Sequence, residues 1–425
     1  MKTAYKLTIL LLASVFIFSC GGNDNNGHAE KVNTEILQMM REVYLWYSDL
    51  PVNIDPGDYS DPATFMEALR YELYDRWSTA ITEEEYNQYF EEGQMVGHGF
   101  MVGLDAEDNF RIAFVYPNTE AAEKGIRRGW ILTKVNGTTI GIDNFGRIMG
   151  QNAPGVKNNM TFIDGDNNTV TIELTKELLE LTPVIHSEII QRGDDKIGYM
   201  VFQDFIEVAN FEIDTTFERF VSSGITDLIV DMRYNGGGSA DVALNLASWL
   251  LGKNFAGQPF INYEHNDKLN KPPYNLDTTY NVPSRANGLN LDRIFFIGTS
   301  NTASASELII NGVKPFVTSI LAGTPTHGKP VGMYGIPIMD YVTLPICFKY
   351  TNKNHEGDFY NGINPALPAE DDITKDFGDP EEKSLKAILR YIDTGESSQK
   401  SLKSTEFNLT YMARKEPIGQ FLRAF

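Results

Sequence analysis

At 425 residues the chain is long enough for two or three domains and a sizeable core. Its apolar content of 42% is that of a soluble globular protein, and 36 Lys and Arg against 57 Asp and Glu leave a formal net charge of −21. A broadly acidic surface repels nucleic acid and anionic lipid, so neither is an expected partner.

Residues 1–19 read as a signal peptide. Lys2 and Lys6 form a basic start, and the apolar stretch 7–18 is too short to span a bilayer comfortably. The segment ends in Ile17-Phe18-Ser19-Cys20, which resembles a bacterial lipobox, with Phe18 a bulky departure. Cleavage before Cys20 and acylation of that cysteine would anchor the chain in a bacterial cell envelope, at the outer membrane, facing either side. Residues 20–30, with GGNDNNG, form the tether. Cys347 is the only other cysteine, so no disulfide is expected.

Residues 31–92 read as a small helical domain. Ile36, Met39, Met40, Val43 and Tyr44 recur at helical spacing, and the helix is expected to end at Asp49-Leu50-Pro51. Asp61 caps a second helix with Pro62 in its first turn, and Phe65, Leu69 and Leu73 form its inward stripe. In residues 93–180 the pattern changes to short strands and turns. Gly97-His98-Gly99-Phe100 could expose backbone N–H groups, 121–126 reads as a short helix ended by glycine, and Asn136-Gly137 marks a hairpin.

The chemistry falls within residues 181–394. An apolar strand at 228–230 leads through Asp231-Met232-Arg233-Tyr234-Asn235 to Gly236-Gly237-Gly238, which lets the backbone turn sharply and present bare N–H groups. Residues 255–290 are rich in Pro and Asn and read as an irregular excursion beside the site. A strand at 294–297 then meets a polar corner and a helix opening at TASASEL. A strand near 317–322 runs into a loop carrying Lys329, 25 residues after Ser304. A serine hydroxyl is a poor nucleophile unless a base takes its proton, and a lysine can do so when burial lowers its pKa. A last helix is expected over 380–392 with Asp379 as its cap, followed by a polar tail, 395–425, in which 407–412 alternates like an edge strand.

TASASEL followed by THGKP resembles the Ser-Lys core of the carboxy-terminal processing (tail-specific) proteases, peptidase family S41. DLIVDMRYNGGGSA resembles the family's D-L-R-x-N-x-G-G motif, KIGY at 196–199 the strand opening its core, and GDFYNGINP at 357–365 the stretch closing it. The resemblance implies an α/β fold with a small N-terminal helical domain, a PDZ-like β domain and a catalytic core of the ClpP/crotonase-like type. It implies Ser304 as nucleophile, Lys329 as general base, and the Gly237 and Ala305 N–H groups as oxyanion hole, with Gly236 close behind Gly237. Gly97, His98, Gly99 and Phe100 would be the PDZ loop receiving a peptide terminus.

The implied substrates are unfolded polypeptides with exposed C-termini. No metal or organic cofactor is implied, and no HExxH or paired-cysteine zinc pattern occurs. The sequence departs from the family at Met333, where a glutamine often orients the lysine. That departure keeps two alternatives open: His327 as the base, and an inactive peptide-binding scaffold of the same fold.

Overall fold

The computed structural model describes residues 25–105 and 107–396. The expected signal peptide, Cys20 and the residues beyond 396 lie outside the described residues.

Helix α1 (Asn25–Val43) buries Val32, Ile36, Met39, Met40 and Val43 along one stripe. It stops short of the expected end, and Tyr47–Asp49 forms a single 3-10 turn before Pro51. Helix α2 (Pro62–Ala68) begins as expected, with Asp61 Oδ2 accepting from the Thr64 N–H at 2.9 Å. The helix ends at Ala68, so the helical period is lost before Leu73. That side chain, expected inward, is 61% exposed. The segment then contributes a strand to the rest of the molecule: β1 (Thr79–Thr82) pairs antiparallel with Tyr341–Leu344.

A separate antiparallel sheet follows, in the order β2 (Phe100–Leu104), β3 (Phe110–Val115), β4 (Ile131–Val135), β5 (Lys157–Ile163), β6 (Thr169–Thr175). Asn136 and Gly137 turn the chain after β4 with φ of 52° and 78°, the double positive φ of a tight hairpin. Phe110, Leu132, Phe145, Met160 and Phe162 form this unit's own core.

The third unit holds a six-stranded sheet. Strand β7 (Val184–Arg192) lies antiparallel to β8 (Asp195–Phe202). Then β9 (Asp227–Asp231), β10 (Arg293–Gly298), β11 (Thr318–Gly323) and β12 (Leu367–Pro368) add in parallel. Strands β9 and β10 are near-continuous apolar runs because both sheet faces are covered. Helices α3 (Ala209–Ser223), α4 (Ala240–Leu251) and α5 (Ala305–Val313) pack Phe217, Leu246, Trp249 and Ile309 into the large core. Helix α6 (Lys383–Thr394) places Leu385, Ile388 and Leu389 on a second cluster with Ile229, Phe295 and Ile297. Its cap is Glu382, accepting from the Leu385 N–H at 2.8 Å, rather than the expected Asp379. Residues 255–290 are more regular than expected, since Pro259–His265 and Thr278–Asn281 form a hairpin that extends a sheet with Ile346–Asn352 and Val331–Met333.

One buried ionic network joins the second and third units. Arg128, just before β4, donates to Asp371 Oδ1 at 2.8 Å and to the Tyr234 hydroxyl at 2.6 Å. Arg233 donates to the same Asp371 oxygen at 2.8 Å, to Asp231 Oδ2 at 2.7 Å and to Glu382 Oε1 at 2.9 Å. Asp371 thus sits between two guanidinium groups, which hold its carboxyl below the usual carboxylate range against the upward push of burial. Removing one partner of such a set strands a buried charge. Asp371→Asn is expected to lower stability by about 3 kcal/mol, read from urea unfolding. A loss below about 1 kcal/mol would mean that the network relaxes or hydrates.

Candidate active site

Strands β9, β10 and β11 are neighbours, and each ends in a loop that reaches one cavity of about 760 Å³. The carboxyl edge of a parallel sheet is where loops can converge without interrupting the hydrogen-bond ladder. Gly236, Gly237 and Gly238 follow β9, Ser304 follows β10, and His327 and Lys329 follow β11. All of them line the cavity, as does Ala305.

Ser304 occupies a strained backbone position, φ 54° and ψ −115°, at the start of α5. A residue with a Cβ adopts this conformation only where its surroundings enforce it. The effect is a sharp strand-to-helix corner with the side chain at its apex. The glycine loop packs directly against this corner. A Cβ on Gly237 would lie 2.7 Å from Ser304 Cβ, 2.8 Å from the Ala303 carbonyl oxygen and 2.9 Å from the Ala305 nitrogen, and Gly237 itself has φ +102°. Glycine is therefore required there for both space and conformation. As first residue of α5, Ala305 has an N–H with no carbonyl to meet inside the helix. The Gly237 N–H donates to Asn235 Oδ1 at 2.8 Å. The two expected oxyanion donors are thus side by side, with one engaged. Ser306 is tied into the scaffold, its hydroxyl donating to the Asn235 carbonyl at 3.1 Å.

Lys329 is 5% exposed. Desolvation lowers its pKa to about 8, against the opposing pull of Asp75 and Glu307. Its Nζ lies 3.6 Å from Met333 Sδ and 5.5 Å from the centre of the Trp77 ring. A thioether is a weak acceptor, so Met333 touches the amine without stabilising its charge as an amide oxygen would. His327 is engaged at both ring nitrogens: Nε2 accepts from the Trp77 indole N–H at 3.1 Å, and Nδ1 faces the Ser300 carbonyl at 3.1 Å.

Several residues of the site were not singled out from the sequence. Glu307 is fully buried and accepts from the Ser304 N–H at 3.0 Å, the Lys329 N–H at 2.8 Å, the Gly328 N–H at 2.7 Å and the Thr326 hydroxyl at 2.5 Å. Burial still pushes its carboxyl up to about 7, against these donors. Ser304-x-x-Glu307 has the spacing of a helix-start capping pair, a signal legible in the sequence. The Tyr350 hydroxyl sits 2.9 Å from the Ser304 carbonyl and 3.0 Å from that of Lys329, a second tie between the two loops. Asp75, which accepts from the Tyr44 hydroxyl at 2.7 Å, and Trp77 come from the N-terminal unit.

The expected peptide loop is placed differently. Gly97, His98, Gly99 and Phe100 are all buried. His98 Nε2 lies 3.2 Å from Asn158 Nδ2, and burial, with Lys176 nearby, lowers its pKa to about 4. Phe100 sits in the core of the second unit.

Residues 31–79 match the peptidase S41 N-terminal domain, and residues 196–368, which contain Gly237, Ser304 and Lys329, match peptidase family S41. The chain belongs to peptidase family S41. A relative from Staphylococcus saprophyticus, described as a probable CtpA-like serine protease, is 22% identical over 342 residues, which are 76% of this chain and 64% of the relative. One of the same description from Staphylococcus aureus strain COL is 23% identical over 335 residues, 76% of this chain and 61% of the relative. The chain thus spans less than two thirds of the length of these relatives. A solved structure from Bacteroides fragilis NCTC 9343, assigned to the S41 proteases, shares the fold with a TM-score of 0.71 at 22% identity, over 85% of this chain and 98% of that one.

Glu307→Gln would turn an NH2 group toward N–H donors and is expected to cost about 2 kcal/mol in unfolding free energy. Because the folded-state pKa is raised from 4.5 to about 7, the folded protein binds the extra proton in that window, and wild-type stability falls as pH rises through it. Stability curves of the two proteins against pH should differ by that slope; parallel curves would remove Glu307 as its source.

Proposed function

We propose that the protein is a serine endopeptidase in which Ser304 is the nucleophile and Lys329 the general base. Neutral Lys329 takes the Ser304 proton, the alkoxide attacks a peptide carbonyl, and the amine then protonates the leaving nitrogen. Water, activated by the same amine, hydrolyses the acyl-enzyme. The oxyanion would be held by the Ala305 N–H and by the glycine loop, where Gly237 must first exchange Asn235 Oδ1 for the substrate oxygen.

The observation that carries this reading is the pairing of a serine in a strained corner with a buried, pKa-lowered lysine across one cavity, their backbones bound to a single carboxylate. The engaged ring of His327 favours Lys329 over it as base. The retained lysine, and a glycine placed where a side chain would block the approach to Ser304 and Ala305, favour an enzyme over an inactive scaffold.

Substrates would be unfolded chains with exposed C-termini. In this reading the second unit, residues 93–180, acts as the PDZ-like domain. Strand β2 ends its sheet, so a substrate tail can add there through backbone bonds, although its side chains are already buried. Acylation at Cys20 would hold the enzyme at the bacterial envelope.

The test is hydrolysis of an unstructured reporter protein. Ser304→Ala and Lys329→Ala should each lose at least about a thousandfold in kcat/KM with unchanged melting. Lys329→Arg should be equally inactive, because a guanidinium stays charged. His327→Ala should stay within about tenfold of wild type; loss of cleavage there, with survival in Lys329→Ala, would transfer the base role to His327. The base form of Lys329 accumulates as pH rises through about 8, so kcat/KM should climb from neutral to alkaline pH with a midpoint near that value. A flat profile would contradict a lysine base. Gly237→Ala should abolish cleavage, since its methyl group would enter the space of Ser304 and Ala305.

A further inference from the structure

Asp204 is a buried acid that the peptidase reading leaves without a role. It lies two residues past β8, the parallel neighbour of β9, and so at the same carboxyl edge as the catalytic loops. The next residue is bound to the glycine loop: the Phe205 N–H donates to the Gly237 carbonyl at 3.1 Å, and the Ser239 N–H donates to the Phe205 carbonyl at 2.7 Å. Gly237 in turn abuts Ser304. Asp204 is thereby held beside the glycine loop, and it lines the catalytic cavity together with Gly237 and Ser304. It is 8% exposed, and its Oδ1 accepts from the Tyr89 hydroxyl at 2.9 Å. Its Oδ2 has no hydrogen bond among the described residues, yet it is not one of the fully buried atoms left without a partner. This oxygen therefore keeps open surface, and the space it meets is the cavity.

No cation of the protein offsets this charge. Burial pushes the carboxyl up to about 7, and the Tyr89 bond opposes that only in part. Tyr89 and Tyr116, which pack on it, are themselves held well above the usual range by burial and stay neutral. Because the folded-state pKa lies above the ordinary 3.8, the stability gained from the extra proton is present below that value and lost as pH rises through about 7. The ionised acid thus adds nothing to the fold, and an amide of the same shape would avoid its desolvation, so stability does not account for an acid here. A buried carboxylate with one open oxygen is best matched by a cationic N–H group. The cations lining the cavity are committed elsewhere or exposed: Arg70 pairs with Glu67 at 3.2 Å, Lys329 responds to Asp75 and Glu307, and Arg76 is exposed. Glu91 and Glu207, both exposed, add negative charge to the same cavity.

We propose that Asp204 is a specificity-determining residue, whose open carboxylate oxygen receives the cationic side chain of a substrate lysine or arginine lying in the catalytic cavity beside the glycine loop. The enzyme then selects, among unfolded chains, those with a basic residue at one fixed position relative to the cut bond. That choice is independent of any terminus docked on β2. The proposal rests on the serine-peptidase reading for its substrate class, and its test is a binding measurement that needs no turnover.

The full chain carrying Ser304→Ala is titrated by fluorescence polarisation above pH 7, where Asp204 is ionised. The probes are labelled apolar decapeptides with one lysine at each position in turn, each compared with norleucine, its uncharged counterpart, at the same position. At one position lysine should bind about tenfold more tightly than norleucine, the scale of one charged hydrogen bond. Adding Asp204→Asn, which keeps the shape and an acceptor for Tyr89, should melt no lower than its parent and bring that ratio close to one; Asp204→Ser serves as the second variant. If neither folds, the parent chain decides: its ratio should rise with pH through about 7 as Asp204 ionises, and a ratio flat there overturns the proposal. Glu91→Gln and Glu207→Gln should each change the ratio by less than about threefold, because exposed charges are screened. Loss of the preference in those variants with survival in Asp204→Asn would assign it to the exposed carboxylates and refute the subsite. So would a ratio near one at every position. If wild type cleaves nothing but the ratio behaves as expected, the peptidase reading fails and the subsite stands; cleavage with a flat ratio gives the reverse.

Discussion

The site depends on one carboxylate. Glu307 receives the backbone N–H of Ser304 and those of Gly328 and Lys329, so a single buried side chain sets the spacing between two loops that leave different strands. Four donors offset much, though not all, of the cost of burying a carboxyl, as its upward pKa shows. The strain at Ser304 is maintained by this arrangement, with the Tyr350 hydroxyl bracing the carbonyls of the same two residues. The backbones of Ser304 and Lys329 are thus held in place by the protein's own groups.

A second shared carboxylate operates at longer range. Asp371 links Arg128 of the second unit to Arg233, two residues past β9 and three before the glycine loop. A displacement of the second unit would therefore pull on the segment that leads to Gly237. The N-terminal unit is coupled more directly still, because Trp77 contacts His327 and faces Lys329. The cavity is consequently walled by two units, and its chemistry belongs to neither alone.

Sequence reading recovered what is encoded locally. Apolar runs marked β9, β10 and β11, glycine marked the loop that turns sharply, and Asp61-Pro62 marked the start of α2. Features set by contacts between distant segments were not legible. The positive φ of Ser304 and the capture of His327 by Trp77 both arise where separate segments meet. Residues 255–290 were read as irregular because their polar, Pro-rich composition hides a hairpin whose order comes from pairing with Ile346–Asn352. Leu73 and Asp379 were misassigned for a simpler reason. A helix boundary shifted by a few residues moves a side chain to another face or passes the cap to a neighbouring acid, as Glu382 shows.

Strand β1 sets Thr79 opposite Leu344 and Thr82 opposite Tyr341, so the N-terminal unit reaches its place only by closing a loop that contains most of the molecule. A chain synthesised in N-to-C order cannot make this pairing until the segment after Lys329 has also been made. Trp77, two residues before β1, is set against Lys329 only once this pairing is made. Until that moment the Lys329 amine lacks the Trp77 face of its surroundings. The burial that lowers the Lys329 pKa is in this way tied to completion of the fold.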